Sequence, residues 1–286
     1  MSLTDPTLSH DLGLRAMSED GSLRVIALNA TATARAILNA QQAAGSEVAS
    51  RLAEQATATV LLRLAMSPDY RLQTVLKHPD HGSIVADSHP DGVTRALVQQ
   101  SHEATIPLGP PTLLSVHRDT YTGKLHQGVV ETLEGYGLSE SIAGYLKQSE
   151  QIHSVVGLRT LFDDAGELSY AGGYLVQLLP DAHVETLATV TEHLEKTGTQ
   201  QIFVDGSFES ESIIKEIYGE VPYRILGEDQ FRFGCNCGEE RILSALATLS
   251  PAEIAELASS PEPLEIACDY CNITYHIDPA RLRPQD

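Results

Sequence analysis

The sequence predicts an α+β protein: a mixed α/β N-terminal domain with an antiparallel sheet, a helical linker, and a small C-terminal domain built on four cysteines. Three observations carry that expectation. Apolar residues recur at helical spacing before residue 67 and then in short β-type runs between 70 and 131. From Asp181 onward there are 20 acidic and 7 basic residues, a charge excess that leaves little apolar area to oppose chain entropy. All 4 cysteines lie beyond residue 234. The expected boundaries are 1–179 for the N-terminal domain, 180–231 for a helical linker whose order depends on its neighbours, and 232–286 for the cysteine domain.

Taken in order, residues 1–20 carry Asp5, Asp11, Glu19 and Asp20 without an apolar run, and read as a loose leader rather than a secretion signal. Leu23–Leu28 reads as a strand, after which Asn29 or Thr31 opens an Ala-rich helix to about Ala44. Gly45-Ser46 breaks it, and Ser46 caps a second helix to Met66 with Val48, Leu52, Ala56 and Val60 on one face. Ser67-Pro68 ends that helix. Tyr70–Lys77, Ser83–Asp87 and Val93–Gln99 are β-type, divided by the turns His78-Pro79-Asp80 and His89-Pro90-Asp91-Gly92. Leu113–Arg118 and Lys124–Glu131 predict another hairpin, Ser139–Gln151 a helix, and Val155–Phe162 with Leu168–Leu179 a hairpin turning at Asp163–Gly166. Gly172-Gly173 predicts a bulge or a close backbone approach.

Beyond Pro180, Asp181 caps a helix to about Lys196, with Val184, Leu187, Val190 and Leu194 as a narrow stripe and Gly198 as its stop. A strand at Ile202–Val204 and a helix at Glu209–Tyr218, carrying Ile213, Ile214 and Ile217, follow; both helices are acidic and expected to pack weakly. Phe231–Phe233 is a short strand and Glu239–Leu249 a helix. Ser250-Pro251-Ala252-Glu253 is a capping box with proline at the first helical position, opening a turn through Leu257. Leu264–Ile266 and Ile273–Ile277 alternate into and out of the last cysteine pair.

The formal charge of −20 repels phosphate backbones, so nucleic acid is not an expected partner. No run approaches ~18 consecutive apolar residues, so no membrane-spanning helix is expected, and the default location is the cytoplasm. With no secretion signal, a scaffold of structural disulfides is not expected either. Clustering of Cys235-x-Cys237 and Cys268-x-x-Cys271, with 30 residues between the pairs, is what a metal site predicts.

Zinc takes four tetrahedral ligands, and thiolates at ~2.3 Å suit it. The two pairs, each beside a predicted strand, therefore predict one Zn2+ per chain held by Cys235, Cys237, Cys268 and Cys271. The unit around them is poor in apolar residues, and a metal supplies free energy on the order of 10 kcal/mol in small zinc modules. A thioredoxin-type dithiol needs its Cys-x-x-Cys at a helix start. Here Cys271 leads into Asn272-Ile273-Thr274-Tyr275-His276-Ile277, a strand pattern. A zinc deaminase needs His-x-Glu upstream of Pro-Cys-x-x-Cys, and neither part is present. His276 is a possible substitute ligand, but four thiolates already complete the shell. His78, His81 and His89, with Asp80 and Asp87 nearby, read as turn residues, and Ser149-Glu150-Gln151 has no partner that would make it catalytic. Spacing alone leaves two readings open: an inert structural zinc, or an oxidisable one whose thiolates react with peroxide and whose Cys-x-Cys disulfide is strained and reversible.

Phe233-Gly234-Cys235-Asn236-Cys237 followed by Glu239-Glu240-Arg241, then Leu264-Glu265-Ile266-Ala267-Cys268-Asp269-Tyr270-Cys271 and Tyr275, resemble the Hsp33 family of redox-regulated holdase chaperones, also called 33 kDa chaperonins. Tyr145 to Gln151, Ala171-Gly172-Gly173-Tyr174 and Gln177-Leu178-Leu179-Pro180 extend the likeness over roughly residues 22–279. The resemblance implies that the reduced, zinc-bound protein is inactive. It implies that oxidation joins Cys235 to Cys237 and Cys268 to Cys271, releases zinc, and unfolds the small domain and then the linker. It further implies that the activated protein binds unfolding clients without ATP, often as a homodimer, and is not an enzyme. The absence of a G-x-x-x-x-G-K-[ST] phosphate loop agrees. The chain departs from the family pattern at His78–Gly82, which lacks a Gly-Asp-Gly run, and at Arg95-Ala96-Leu97, where an Arg-Gly-Tyr type run is usual. The alternative is a non-redox adaptor or enzyme carrying a structural four-cysteine zinc ribbon.

Overall fold

A computed structural model describes residues 10–43, 47–66, 69–99, 105–119, 125–180, 182–197 and 209–282. Ten strands form one sheet: β1 (Asp11–Ser18), β2 (Leu23–Asn29), β3 (Leu72–His78), β4 (Gly82–Ser88), β5 (Val93–Gln99), β6 (Leu113–Asp119), β7 (Leu125–Glu131), β8 (Ser154–Phe162), β9 (Leu168–Leu178) and β10 (Tyr223–Phe233). Their order is β7-β6-β3-β4-β5-β10-β1-β2-β9-β8. Every pairing is antiparallel except one: the last two residues of β10, Arg232 and Phe233, run parallel beside Val93 and Thr94 of β5. The antiparallel sheet and the hairpins therefore follow the expectation. The Gly172-Gly173 pair resolves as close approach, since the register of β2 on β9 is unbroken there. A Cβ on Gly173 would lie 2.8 Å from the Gly157 carbonyl and 2.9 Å from a Leu61 methyl.

Two expectations about the chain's organisation need correcting. Residues 11–18, expected to be loose leader, form β1 inside the sheet, bonded to β2 on one edge and β10 on the other. Leu12, Leu14 and Ala16 alternate as a strand should, and neighbours on both sides satisfy the backbone. Asp11 accepts hydrogen bonds from the backbone N–H groups of Ala32 (3.2 Å) and Thr33 (2.6 Å) and so caps the helix that follows β2. Within the expected linker, β10 begins at Tyr223 and pairs with β1 through Phe231. The Arg15–Asp229 ion pair (2.7 Å) reinforces this register.

Helices α1 (Thr31–Ala40), α2 (Glu47–Met66) and α3 (Leu138–Ser149) cover one face of the sheet, and α4 (Val184–Thr197) and α5 (Ser210–Tyr218) cover the β1-β2-β9 part of the other. Strand β2 divides its side chains accordingly: Ile26 and Leu28 join the α1–α3 core, while Leu23, Val25 and Ala27 meet α4 and α5. Packing of α5 is not weak. Ile213, Ile214, Ile217 and Tyr218 are all fully buried, and each buried side chain of this size contributes about 1.5–3 kcal/mol. Val190 and Leu194 of the expected α4 stripe are buried as well. The expected strand at 202–204, the Ser46 cap, the Gly45 break and the Gly198 stop lie outside the described residues.

Past β10 the chain forms α6 (Glu239–Leu246), α7 (Pro251–Ala258), a two-stranded hairpin of β11 (Leu264–Ala267) and β12 (Thr274–Ile277), and a 3-10 turn at Pro279–Leu282. The Ser250 capping box is present: Ser250 Oγ accepts from the Glu253 N–H, and the Glu253 carboxylate accepts from the Ser250 N–H at 2.8 Å. Helix α6 buries no side chain and α7 only Ala258. No described helix is long and apolar enough to cross a membrane.

Candidate metal centre

Strand β10 delivers the first cysteine pair. Arg232 N–H donates to the Gly92 carbonyl and Gly234 N–H to that of Thr94, each at 3.1 Å, so the chain leaves the sheet along β5. Gly92 permits this approach, because it has φ +80° and a Cβ there would lie 2.2 Å from the Gln230 carbonyl. The β11–β12 hairpin delivers the second pair. Its turn is closed by Cys268 N–H to the Ile273 carbonyl (3.0 Å) and Asn272 N–H to the Cys268 carbonyl (2.8 Å), with Asn272 at φ +58°.

The four sulfurs converge within 4.8 Å of one another, and all four cysteines are free. Cys235 and Cys268 sulfurs are 3.7 Å apart, and those of Cys237 and Cys271 are 3.3 Å apart. Thiolates about 2.3 Å from a tetrahedral ion sit about 3.8 Å from each other, so the cage fits such an ion. The sequence-predicted quartet is thus brought together, and it can hold a metal. His276 is not part of it: its Nδ1 lies 3.5 Å from the Glu265 carboxylate on the exposed face of the hairpin. Among the described residues, the cysteines are the group of three or more donors that meets metal-site spacing. His78 and His81 instead form an edge-on ring pair, and His89 lies 3.2 Å from Asp87.

Electrostatics favour a cation here. Burial pushes the Cys235 thiol up, and it likewise raises Cys271 far above the usual thiol range. Burial acts on Cys237 too, but hydrogen bonds from the Tyr275 hydroxyl (3.1 Å) and Cys271 outweigh it and lower that thiol. Cys237 is thus the thiol of the cluster whose ionised form its neighbours support. A positive charge between the sulfurs would offset the burial that opposes ionising Cys235 and Cys271.

Side chains from the sheet and from the end of α1 surround this cage, a role that the sequence did not assign to them. Arg95 Nη1 lies 3.6 Å from Cys235 Sγ and donates to Asn236 Oδ1 at 2.7 Å. Its guanidinium sits 4.1 Å over the ring of Tyr270 and also binds the buried Asp87 at 3.0 Å. Arg71 grips the same carboxylate at 2.8 and 3.1 Å. Burial would raise the Asp87 carboxyl, but hydrogen bonds and charge from His89 and Arg71 hold it well below the carboxylate range. Gln41, just past α1, donates to the carbonyls of Asp269 (2.7 Å) and Tyr270 (3.1 Å) while accepting from the Val98 N–H (3.1 Å). Helix α1 itself ends at Ala40, short of the expected Ala44, because Gln42 turns to φ +53° and the N–H groups of Gln42 and Ala43 return to the Asn39 (3.2 Å) and Leu38 (2.9 Å) carbonyls. In the sequence Arg95 stands out only as the start of a run that departs from the family pattern, and a glutamine after a helix carries no motif, so the fold is what reveals their role at the cage.

The Hsp33 protein family model matches residues 11–278. The chain belongs to the Hsp33 family. A 33 kDa chaperonin of Streptococcus gordonii is 28% identical over 278 residues, covering 93% of this chain and 94% of that protein. One from Streptococcus pneumoniae is 28% identical over 276 residues, with the same two coverages. A crystal structure of the Thermotoga maritima 33 kDa chaperonin, a heat shock protein 33 homologue, superposes with TM-score 0.81 at 19% identity over 96% of this chain and 97% of that one. The Hsp33 match begins at Asp11, the first residue of β1, so it includes half of the expected leader.

Proposed function

We propose that the chain is a redox-regulated, ATP-independent holdase chaperone that binds unfolding proteins and prevents their aggregation. The observation that carries this reading is the pairing of a four-thiol cage with a module, 234–282, whose two helices bury one side chain between them. A bound zinc supplies the cross-link that this module lacks in apolar core. Cys235, Cys237, Cys268 and Cys271 hold it in the reduced protein.

A hydroperoxide is the oxidant. Two thiolates lose two electrons and form one disulfide; the peroxide O–O bond breaks and, with two protons, hydrogen peroxide leaves as two waters. A second peroxide oxidises the second pair. The products are Cys235–Cys237 and Cys268–Cys271, the two sequence-local pairs. Disulfide sulfurs are poor ligands, so the four cysteines would no longer hold a zinc ion and the module would lose its tie. Melting of the module and of α4 and α5 then uncovers apolar surface of the sheet for clients. Phe231, fully buried where β10 joins the two halves of the sheet, belongs to the part that stays folded between the two melting segments. The active form is a homodimer in the cytoplasm, and the protein catalyses no reaction.

The test combines zinc release to a chromophoric chelator, circular dichroism and client aggregation during peroxide treatment with mild heat. Zinc release with helix loss and suppressed aggregation is the expected result. Retained zinc, or release without client protection, overturns the reading and favours the adaptor or enzyme with a structural zinc ribbon.

A further inference from the structure

We infer that Arg95 is a positioning residue that latches the cysteine module onto the sheet and reads the charge of its sulfurs. The inference rests on the proposed function for its biological meaning, and on geometry for its substance. Arg95 touches both ligand pairs at once: Cys235 Sγ and Asn236 Oδ1 from the first, and the ring of Tyr270, which lies between Cys268 and Cys271, from the second. Tyr270 is also held by Gln73 of β3, and its backbone by Gln41, so the second pair is seated on the sheet beside the guanidinium.

Charge decides when this seat is favourable. Arg71 and Arg95 share the fully buried carboxylate of Asp87, and Arg71 has a second carboxylate, the half-exposed Asp119, at 3.4 Å. Arg95 has a share of Asp87 and then the sulfurs, so part of its charge is left for them to balance. Four thiolates around a divalent ion carry net charge −2, which matches it. A thiolate accepts a charge-assisted hydrogen bond from a guanidinium; a disulfide sulfur is neutral and accepts weakly. Oxidation of Cys235 to a disulfide, with the balance given above, therefore takes the anionic sulfur from Arg95 and leaves it only its share of Asp87. The latch opens as a direct consequence of the redox step. The fork and plane of the guanidinium matter as much as its charge, because its N–H groups meet Asp87 and the Cys235–Asn236 pair while its face meets Tyr270.

The test uses the full-length, zinc-loaded protein under reducing conditions, with hydrogen exchange read peptide by peptide and zinc loss to a chelator read in parallel. Arg95→Met should speed exchange over 264–277 and zinc loss about tenfold, the scale of one hydrogen bond to a charged group, and leave 23–29 and 168–178 unchanged. Arg95→Lys keeps the charge but not the plane, and should fall between. After zinc is stripped, wild type and Arg95→Met should exchange alike in the module, because the anionic partner is gone. If Arg95→Met does not fold, Tyr270→Leu removes the stacking partner and should give the same selective loosening. Wild-type exchange in the module of either variant overturns the inference. So does equal loosening of body and module, or a difference that survives zinc removal. These readouts need no oxidant and no client, so failure of the holdase reading appears separately, in the peroxide experiment on the wild type.

Discussion

Helix α2 buries 14 of its 20 residues, and helix α6 buries none of its 8. The first is enclosed by strands from both halves of the sheet; the second lies on a module whose fully buried side chains are few, Ile277 among them. One region is held by apolar area and close packing, which oxidation does not touch. The other depends on four thiols, a hairpin, a capping box and a few side chains from the sheet. The same chain thus contains a part that ignores redox chemistry and a part that little else stabilises. Perturbations should divide the two cleanly.

Metal removal should divide them most. If the proposed zinc is bound, chelating it from the reduced protein should take away a contribution on the order of 10 kcal/mol, more than a module of this size gains by burial. Hydrogen exchange should lose protection across 239–277, while β2 and β9 keep theirs. Cys271→Ser should do the same without a chelator. If the whole chain unfolds together, or if the module keeps its protection, the contrast drawn from α2 and α6 fails.

A core truncation is the converse. Leu62 is fully buried in α2, and Leu62→Ala should cost about 2–5 kcal/mol by lost transfer free energy and a cavity. Denaturant unfolding followed at the sheet should show that loss. Zinc release to a chelator should keep the wild-type rate. A faster release would mean that the body's packing supports the cage directly, and would sharpen the comparison into a coupled system.

Much of this contrast was legible in the sequence, and the reasons differ by region. Alternation in Leu113–Arg118 or Val93–Gln99 reports a local period, so those strands were readable. The cysteine spacing was readable because a site able to hold a tetrahedral metal ion demands paired thiols. Strand β1 was not, because it is short and lies between acidic residues of the leader, and its alternation means something only once β2 and β10 flank it. Most of β10 was missed for the same reason: Ile225 and Leu226 are exposed, and pairing rather than burial defines that stretch. Arg95 and Gln41 act across more than 130 residues of chain separation, and no local pattern encodes that.

The smallest expected effect tests whether the module has any local stability of its own. Ser250 accepts from the Glu253 N–H, and the Glu253 carboxylate returns the bond, so two otherwise unpaired amides at the start of α7 are satisfied. In a helix of 8 residues that buries only Ala258, a cap is a large share of what holds it. Ser250→Ala should cost about 1 kcal/mol, a roughly fivefold rise in local opening, whereas Ser250→Gly should cost only a few tenths. Amide exchange at 253–258 in the zinc-bound protein measures both. The difference should vanish once zinc is removed, because a cap stabilises α7 only while the hairpin and cage give it a neighbour. A capping effect that persists without metal would show that α7 is an autonomous helix, and the module would then owe less to its cysteines than the comparison with α2 requires.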